Sequence, residues 1–313
     1  MTVTEAQEAV GYAASESVTF AFADAAEELY GLARLGLSRG SDGARQGSAL
    51  AVLFAGRTPV AALAQGGVDV AADAGWDALE VAGLRAAIAA PLDRWTLGFA
   101  AAGGEEGFTL EFSAAGDPVE LAADAPAARL GGMAGYDQPC RVRGTVRADG
   151  RERTIDALGQ RGHAWGDPNW ERIELARTVT AWTDAGSASL TAIRPAGARH
   201  HAEEATWAAL WESDGDKPVT AAAGGVPRRQ VALDIEEGRL STTYDADGHT
   251  RRAGLELWPA GDRDGEWIRR AAGEVLCGSS LELGSLTLDC AFFRWHLAGR
   301  AGVGRYDILR RVA

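Results

Sequence analysis

The stretch from Leu175 to Pro195, LARTVTAWTDAGSASLTAIRP, consists of two runs in which apolar and polar residues alternate, on either side of Ala-Gly-Ser. Alternation with a period of two is typical of a half-buried strand, and a short Gly-containing break between two such runs predicts a β-hairpin. The pattern recurs in TWAALWES, DGDK and PVTAAAGG (206–225) and in RQVALDI, EEGR and LSTTYDA (229–246). These segments predict antiparallel strands.

The rest of the chain has the same strand-like lengths and turn punctuation, with many of its 40 Gly at the breaks. Further predicted strands are ELYGLARLGL (28–37), SALAVLFAG (48–56), RTPVAALAQG (57–66), RWTLGFAA (94–101), GFTLEFSA (107–114), LELGSLTLDCAFFRW (281–295) and GRYDILRRV (304–312). Helix-like apolar spacing predicts short helices at Val3–Ala13 and Trp76–Ala90. Many short strands favour an all-β fold of antiparallel barrels or sandwiches with few helices.

A segment rich in Ala, Gly and Pro, DAPAARLGGMAGYDQP (124–139), indicates a boundary between two β-domains. We expect an N-terminal domain at residues 1–130 and a C-terminal domain at residues 131–313. The C-terminal domain would carry the strip GQRGHAWGDPNW (159–170), which combines two Trp, one His and one Asp.

The net charge of −13 and the absence of a basic stripe argue against a nucleic-acid or anionic-lipid partner. No apolar run approaches the roughly 18 residues of a membrane helix, and MTVTEAQEAVGY lacks the features of a signal peptide, so we expect a cytoplasmic protein. Three Cys without CxxC spacing predict neither disulfides nor a zinc ribbon. The expected partner is a hydrophobic small molecule, bound by a monomer or homodimer.

No pattern in the chain predicts a cofactor or a metal. The GxGxxD of GRAGVGRYDI (299–308) lacks the βαβ context of a dinucleotide fingerprint, and there is no P-loop, GxSxG or HExxH motif. The neighbours His200 and His201 would point to opposite faces of a strand, so one metal site would seldom use both. We therefore expect no cofactor and no metal ligands.

The strip at 159–170 allows two interpretations. On an extended strand His163, Trp165 and Asp167 share one face. Burial of Asp167 between indoles would raise its pKa and keep it protonated, as a general acid requires. Alternatively, Gly-Asp-Pro forms a turn in which Asp167 caps backbone N–H groups, while Trp165 and Trp170 fill the core.

Tryptophan is abundant, with ten Trp against two Met. Rigid indoles suit the wall of a hydrophobic pocket, although ordinary core packing explains them equally well. Trp182 and Trp295 lie in predicted strands of the second half of the chain, and we expect both to contact a ligand.

The segment Tyr136–Trp170, YDQPCRVRGTVRADGRERTIDALGQRGHAWGDPNW, resembles the carotenoid 1,2-hydratase and AttH-like family. Weaker similarity covers ELYGLARLGLSRGSDGARQGSALAVLF (28–54) and GRAGVGRYDI. The resemblance implies two consecutive lipocalin-like domains with a ligand pocket at or near their interface. Members of the family hydrate isoprenoid double bonds or prenylated phenolics, or cyclise polyenes, without an organic cofactor.

Carried over to this chain, the resemblance points to the strip and to Tyr136, Asp137 and Gln138. Two departures are evident: Gly162 stands where the family usually has Asp, and Pro168-Asn169 replaces an Arg-Asp-like pair. Asp167 and Asp137 are the acids that survive. We expect Asp167 or Asp137 to be the general acid of a cofactor-independent hydratase. The other expected contributors are His163, orienting the acid or water, and the substrate-binding residues Trp165, Trp170, Tyr136, Gln138, Trp182 and Trp295. The alternatives are a polyene cyclase or isomerase and a non-catalytic carrier of a hydrophobic ligand.

Overall fold

A computed structural model describes residues 14–40, 43–213, 230–261 and 267–312 of the chain. Its strands form two antiparallel sheets. The strands of the first sheet are β1 (Ser15–Asp24), β2 (Leu29–Arg39), β3 (Arg45–Ala55), β4 (Thr58–Asp69), β5 (Leu79–Val81), β6 (Leu84–Ala90), β7 (Arg94–Ala100), β8 (Gly107–Ala114), β9 (Val119–Leu121), β10 (Met133–Ala148) and β11 (Arg151–Gly166). Those of the second sheet are β12 (Ile173–Trp182), β13 (Gly186–Pro195), β14 (Ala205–Ser213), β15 (Gln230–Leu233), β16 (Ile235–Tyr244), β17 (Thr250–Pro259), β18 (Arg269–Leu283), β19 (Leu286–Leu297) and β20 (Arg300–Arg311).

The two sheets share one plan. The first has the order β4-β3-β2-β1-β11-β10-β8-β7-β6-β5, with β9 paired to β10, and the second has the order β15-β14-β13-β12-β20-β19-β18-β17-β16. In both, the last strand along the chain pairs with the first: β11 pairs with β1, and β20 pairs with β12. The two ends of the sheets are β4 and β5 in the first and β15 and β16 in the second. The predicted all-β fold of two lipocalin-like antiparallel barrels is confirmed.

The helix predicted at Trp76–Ala90 is wrong. The segment contains β5 and β6, joined by a tight turn in which Ala82 and Gly83 have φ of 51° and 84°. Its apolar side chains alternate with the exposed Glu80 and Arg85, so the period of two prevails over the helix propensity of its Ala residues.

The hairpin predicted around EEGR (236–239) is also wrong, because these residues lie inside β16 and continue its strand. β15 pairs with β14, and β16 pairs with β17. The hairpin of β12 and β13 is confirmed. PVTAAAGG (218–225) and Val3–Ala13 fall outside the described residues.

The segment that indicated a domain boundary forms α1 (Pro126–Gly131), which ends at the left-handed Gly132 (φ 68°). The strands that follow it, β10 and β11, nevertheless pair with β8 and β1 and complete the first sheet. The chain enters the second sheet only after Gly166, through a single 3-10 turn at Trp170–Arg172. The strip thus belongs to the first sheet and to this connection, and a folding boundary at residue 130 stays a prediction.

Each sheet has a hydrophobic core of its own, and a third cluster joins the sheets. In that cluster the outer face of β1–β3 packs against β12 and β18–β20, with Tyr30 and Phe54 in contact with Phe292. Burial of one such side chain contributes about 1.5–3 kcal/mol. The two barrels therefore lie side by side on a hydrophobic contact.

No helix of the described residues has the length and apolar character to span a membrane.

Candidate functional site

The strip divides between the two faces of β11. Residues 161, 163 and 165 point into the first barrel, while Gln160, Gly162 and Ala164 face the second sheet. The neighbouring strand β10 is divided in the same way, because Tyr136 pairs with His163 and Asp137 pairs with Gly162. The predicted site residues consequently separate into two groups with the sheet between them.

The inner group is a buried aromatic cluster. The His163 ring lies 5.4 Å from Trp165, 5.6 Å from Trp76 and 5.9 Å from Tyr136, measured between ring centroids. Its Nε2 is 3.8 Å from the buried Glu16 carboxylate. The His163 and Asp137 side chains extend from opposite faces of the strand pair, and the role expected for His163, orienting the acid or a water beside it, stays a prediction.

Tyr136 and Gln138 hold parts of the first barrel together. The Tyr136 hydroxyl accepts a hydrogen bond of 2.8 Å from Arg161, whose guanidinium lies over the Tyr136 and Trp95 rings. Gln138 donates from its amide to the carbonyl oxygens of Leu92 and Gly116, both at 2.9 Å. Both side chains are buried and make structural contacts of the first sheet.

Asp137 lies on the outer face of β10 and is half-buried between the sheets. Its Oδ2 accepts a hydrogen bond of 2.5 Å from Ser189 Oγ of β13. Burial raises the pKa of Asp137, while the Ser189 hydrogen bond, the Arg305 charge and the Gln160 amide offset part of that rise. Such an environment favours a protonated carboxyl group that can donate its proton to a ligand.

Three further charged groups surround this region. Arg305 NH1 lies 3.0 Å from Asp307 Oδ2, and both side chains are largely buried. Burial raises the pKa of Asp307, and Arg305 offsets part of that rise. Arg34 of β2 has an exposed side chain, which donates to Ser17 Oγ at 3.0 Å.

Asp137 and Arg305 line a cavity of about 200 Å³ between the two sheets. Its floor follows one register row of the first sheet, in which Thr19 pairs with Gly162 and Gly162 with Asp137. Its roof contains Arg305 and the cross-strand pair Thr178 and Thr191 of the second sheet. Apolar side chains close the other end: Leu121, Met133, Ile193 and Trp207. The cavity thus has a polar end and an apolar end.

Gly162 makes room for the acid. A Cβ at this position would lie 2.6 Å from Asp137 Oδ1. The Asp that the related family usually has here would therefore compete with the Asp137 carboxyl for the same space. The absence of a side chain at Gly162 thus permits the Asp137 carboxyl group to lie where it does.

Asp167 lies outside this arrangement. The expectation of a dry cavity around it is wrong, because its side chain is exposed on the connection between the sheets. Gly166 (φ 156°) ends β11, and the Asp167 backbone N–H donates to the Gly132 carbonyl at 2.8 Å. The two glycines permit this close crossing, since a Cβ on Gly166 would lie 2.0 Å from the Gly132 oxygen. The end of the strip is thus a structural corner, as the alternative interpretation held, although no side-chain cap by Asp167 occurs among the described contacts.

The remaining predicted Trp residues differ in position. Trp170 packs in a small cluster with Ile193 and Trp207 behind the apolar end of the cavity. Trp182 lies between the sheets and donates to Gln160 Oε1 at 3.2 Å. Trp295 is stacked on Phe293 in the core of the second barrel, away from the cavity.

The sequence analysis missed Arg305, Ser189, Trp207, Thr178 and Thr191. Alternation in TVTAW and ASLTAI does place Thr178, Ser189 and Thr191 opposite the core-facing residues. That these faces meet the first sheet is a tertiary fact that no local pattern reports.

Among the described residues, one group could offer three ligand atoms to a metal: Asp245, Asp247 and His249 in the turn between β16 and β17. All three are exposed and remote from the cavity, and backbone N–H groups of the turn donate to Asp245. His200 begins a short 3-10 turn, and His201 contacts Glu204.

Comparison with known proteins identifies the fold. A putative AttH (NE1406) from Nitrosomonas europaea has a TM-score of 0.60 and 11% identity, with 95% of this chain and 92% of that chain covered. The structure of CghA with Sch210972 has a TM-score of 0.62 and 13% identity, with 97% of this chain and 89% of that chain covered. Kievitone hydratase from Nectria haematococca has a TM-score of 0.56 and 10% identity, with 95% of this chain and 89% of that chain covered. The AttH-like resemblance is thereby confirmed at the level of fold.

No curated protein matches this chain. A family model described as "Domain of unknown function (DUF7064)" matches residues 5–311.

Proposed function

The chain belongs to the DUF7064 family, and we propose that it is a cofactor-independent hydratase that adds water to a C=C bond of a hydrophobic terpenoid or polyketide. The observation that carries the proposal is Asp137, a carboxyl group with a raised pKa at the polar end of a cavity with apolar walls. Perturbed carboxyl groups in clefts are typical of general acids.

The proposed reaction begins with transfer of the Asp137 proton to one carbon of the double bond. Water then adds to the other carbon and returns a proton to the Asp137 carboxylate, so the acid is regenerated and the product equals substrate plus water. Ser189 and Arg305 stabilise the carboxylate that exists between these steps, because both favour the ionised form. Trp207, at the apolar end, would shield the developing cation through its ring face.

This assignment gives the acid role to Asp137 instead of Asp167. It also gives the aromatic wall to Trp207 in place of Trp165 and Trp170, since Trp165 faces the first barrel and Trp170 packs behind the cavity. Trp182 contributes indirectly: it fixes Gln160, whose amide faces Asp137. General acid catalysis of this kind contributes about two to four orders of magnitude, and positioning in the cavity must supply the rest.

The same cavity supports a second candidate, an intramolecular cyclase or isomerase of a polyene. The structural relatives include a protein named kievitone hydratase as well as CghA, whose structure contains Sch210972. In a cyclase, Asp137 and Arg305 would serve as hydrogen-bond donors to the folded substrate, and no water would enter the product. A non-catalytic carrier would use only the shape and apolar end of the cavity.

The test is incubation of terpenoid and polyene pools with the protein in oxygen-18 water, followed by mass spectrometry. Product that gains one water containing the heavy oxygen supports hydration. Product of unchanged mass with a new retention time supports the cyclase. Ligand recovered unaltered from the protein across the pools overturns both and leaves the carrier.

A further inference from the structure

We infer that the cleft between the two sheets takes a ligand with an anionic group, held by Arg34 and Arg305, on an otherwise apolar body. The inference rests on the cleft that the proposed function uses, and it names the substrate class.

The floor of the cleft continues beyond the cavity along the same register row. From β10 to β2 the row contains Asp137, Gly162, Thr19 and Arg34, and these residues pair directly with one another across the strands. Adjacent strands are about 4.8 Å apart, so the Cα atoms at the two ends are separated by roughly 14 Å. Small side chains between the charged ends leave the middle of the row open to a ligand.

Arg305 of the roof lines the cavity together with Asp137 and Thr19, and Thr19 pairs directly with Arg34 on the neighbouring strand. The charge of Arg305 is balanced by Asp307. Arg34 has only the neutral Ser17 hydroxyl as a hydrogen-bond acceptor among the described contacts, and no carboxylate forms an ion pair with it there. Arg34 is therefore a cation without an ionic partner in the part of the chain that the structure describes.

An unsatisfied donor in the same region points to a ligand with oxygen acceptors. Within the described part of the chain, Arg305 Nε is buried and has no hydrogen-bond partner. A buried donor without an acceptor is costly, and a bound carboxylate would supply acceptors together with the missing negative charge.

The apolar end of the cavity indicates the chemical character of the remainder of the ligand, which would be hydrophobic. Leu121 of β9 lies on the side of β10 away from Arg34, and Trp207 lies beside it, since its indole N–H donates to the Glu120 carbonyl. A molecule with its anion at Arg34 and its apolar body at Trp207 would pass Asp137 on the way. The bond that Asp137 protonates would then lie several carbon atoms from the anionic group.

The test is isothermal titration calorimetry with decanoate and with decan-1-ol, a neutral molecule of the same chain length. We expect decanoate to bind the wild-type protein about tenfold or more tightly than decan-1-ol. Arg34→Gln should lower decanoate affinity to that of the alcohol and leave the alcohol unaffected, whereas Arg34→Lys should retain most of the preference. Arg147→Gln, an exposed change at the far end of β10, is the matched control.

Equal affinity of the wild-type protein for the two probes overturns the inference, as does a preference that survives in Arg34→Gln or a failure to bind either probe. These outcomes are separable from failure of the proposed function. A protein that prefers decanoate but yields no oxygen-18 product would keep the anion site and lose the hydratase.

Discussion

The two faces of the β10–β11 strand pair use alternate residues of the same sequence for different purposes. On the inner face Tyr136, Arg161 and His163 are buried among aromatic rings and fill the first barrel. On the outer face Asp137 and Gly162 border a cavity that the second sheet covers. Polar residues of the inner face stabilise a packed core, and those of the outer face surround a space that a ligand can occupy.

The difference shows that the density of unusual side chains in a motif is a poor guide to where chemistry occurs. The inner face contains the His and Trp residues that attract attention, yet large side chains leave little free volume there. The outer face has small residues at the central positions, and its Asp137 borders a cavity. Packed interiors have few voids, so a cavity beside a titratable group is the more specific signal.

The largest expected effect is that of Asp137→Asn, which removes the acid from the outer face. We expect kcat/KM to fall by about two to four orders of magnitude with the substrate identified in the oxygen-18 experiment. Substrate binding and folding should persist, which circular dichroism and calorimetry would check. Retention of wild-type activity in this variant would transfer the chemistry away from the outer face.

The stability of the wild-type protein should depend on pH in the way that a raised pKa of Asp137 requires. Because burial raises the folded-state pKa of Asp137, the folded protein keeps a proton that the unfolded chain releases near the ordinary aspartate pKa of about 3.9. Stability from this group is thus present at low pH and lost as pH rises through the folded-state pKa. Burial also raises the pKa of Asp307, so the contribution of Asp137 has to be isolated by comparison. The free energy of unfolding in urea would be measured across pH for the wild-type protein and for Asp137→Asn. A slope unchanged by the substitution would contradict a raised pKa.

A smaller loss is expected from Gly162→Ala, which keeps the acid but moves it. The new Cβ would lie 2.6 Å from Asp137 Oδ1, so the carboxyl must shift away from its present position. Misplacement of a catalytic group by about 1 Å can cost up to about a hundredfold in rate, and overpacking costs about 1–3 kcal/mol of stability. Gly98→Ala is the control, because a Cβ there has 3.9 Å to its nearest neighbour. Equal activity of the two variants would show that the position of the Asp137 carboxyl does not matter.

The inner face should respond in the opposite way. Tyr136→Phe removes the acceptor of the Arg161 hydrogen bond, and we expect the free energy of unfolding to fall by about 1–3 kcal/mol. Activity of the folded protein should change little, since the hydroxyl faces the barrel. Tyr244→Phe, at an exposed position of β16, provides the baseline for urea denaturation. A large loss of kcat/KM without loss of stability would place the inner face in the reaction.

The smallest effect is expected for Asp167→Asn. The side chain is exposed on the connection after β11, so the free energy of unfolding should change by less than about 0.5 kcal/mol and turnover should stay at the wild-type level. Steady-state kinetics beside Asp137→Asn would check this. Inactivation by Asp167→Asn would overturn the choice between the two acids.

The sequence predicts the fold well because its evidence is local and repeated. Alternating runs separated by Gly-containing breaks specify strands, and the resemblance of Tyr136–Trp170 indicates the AttH-like arrangement. The helix at Trp76–Ala90 fails because Ala is compatible with both structures, and burial on the sheet decides between them.

The candidate site is predicted only in part. Asp137 was among the possible acids, but the preference for Asp167 assumed that the strand continues past Gly166, where the chain instead turns. Arg305 and Ser189 come from the second sheet, and they reach Asp137 only because the two barrels pack outer face to outer face. Such contacts depend on tertiary packing, which periodicity and spacing do not encode.

The return of the last strand to the first, present in both sheets, has a consequence for how the protein folds. The floor of the cleft requires β1 to pair with β11, and the roof requires β12 to pair with β20, so each half closes through strands far apart in the chain. Contacts of large sequence separation form slowly, because much chain entropy is lost before they contribute. We therefore expect the cleft to be completed late in folding, so that ligand binding would report complete closure of both barrels.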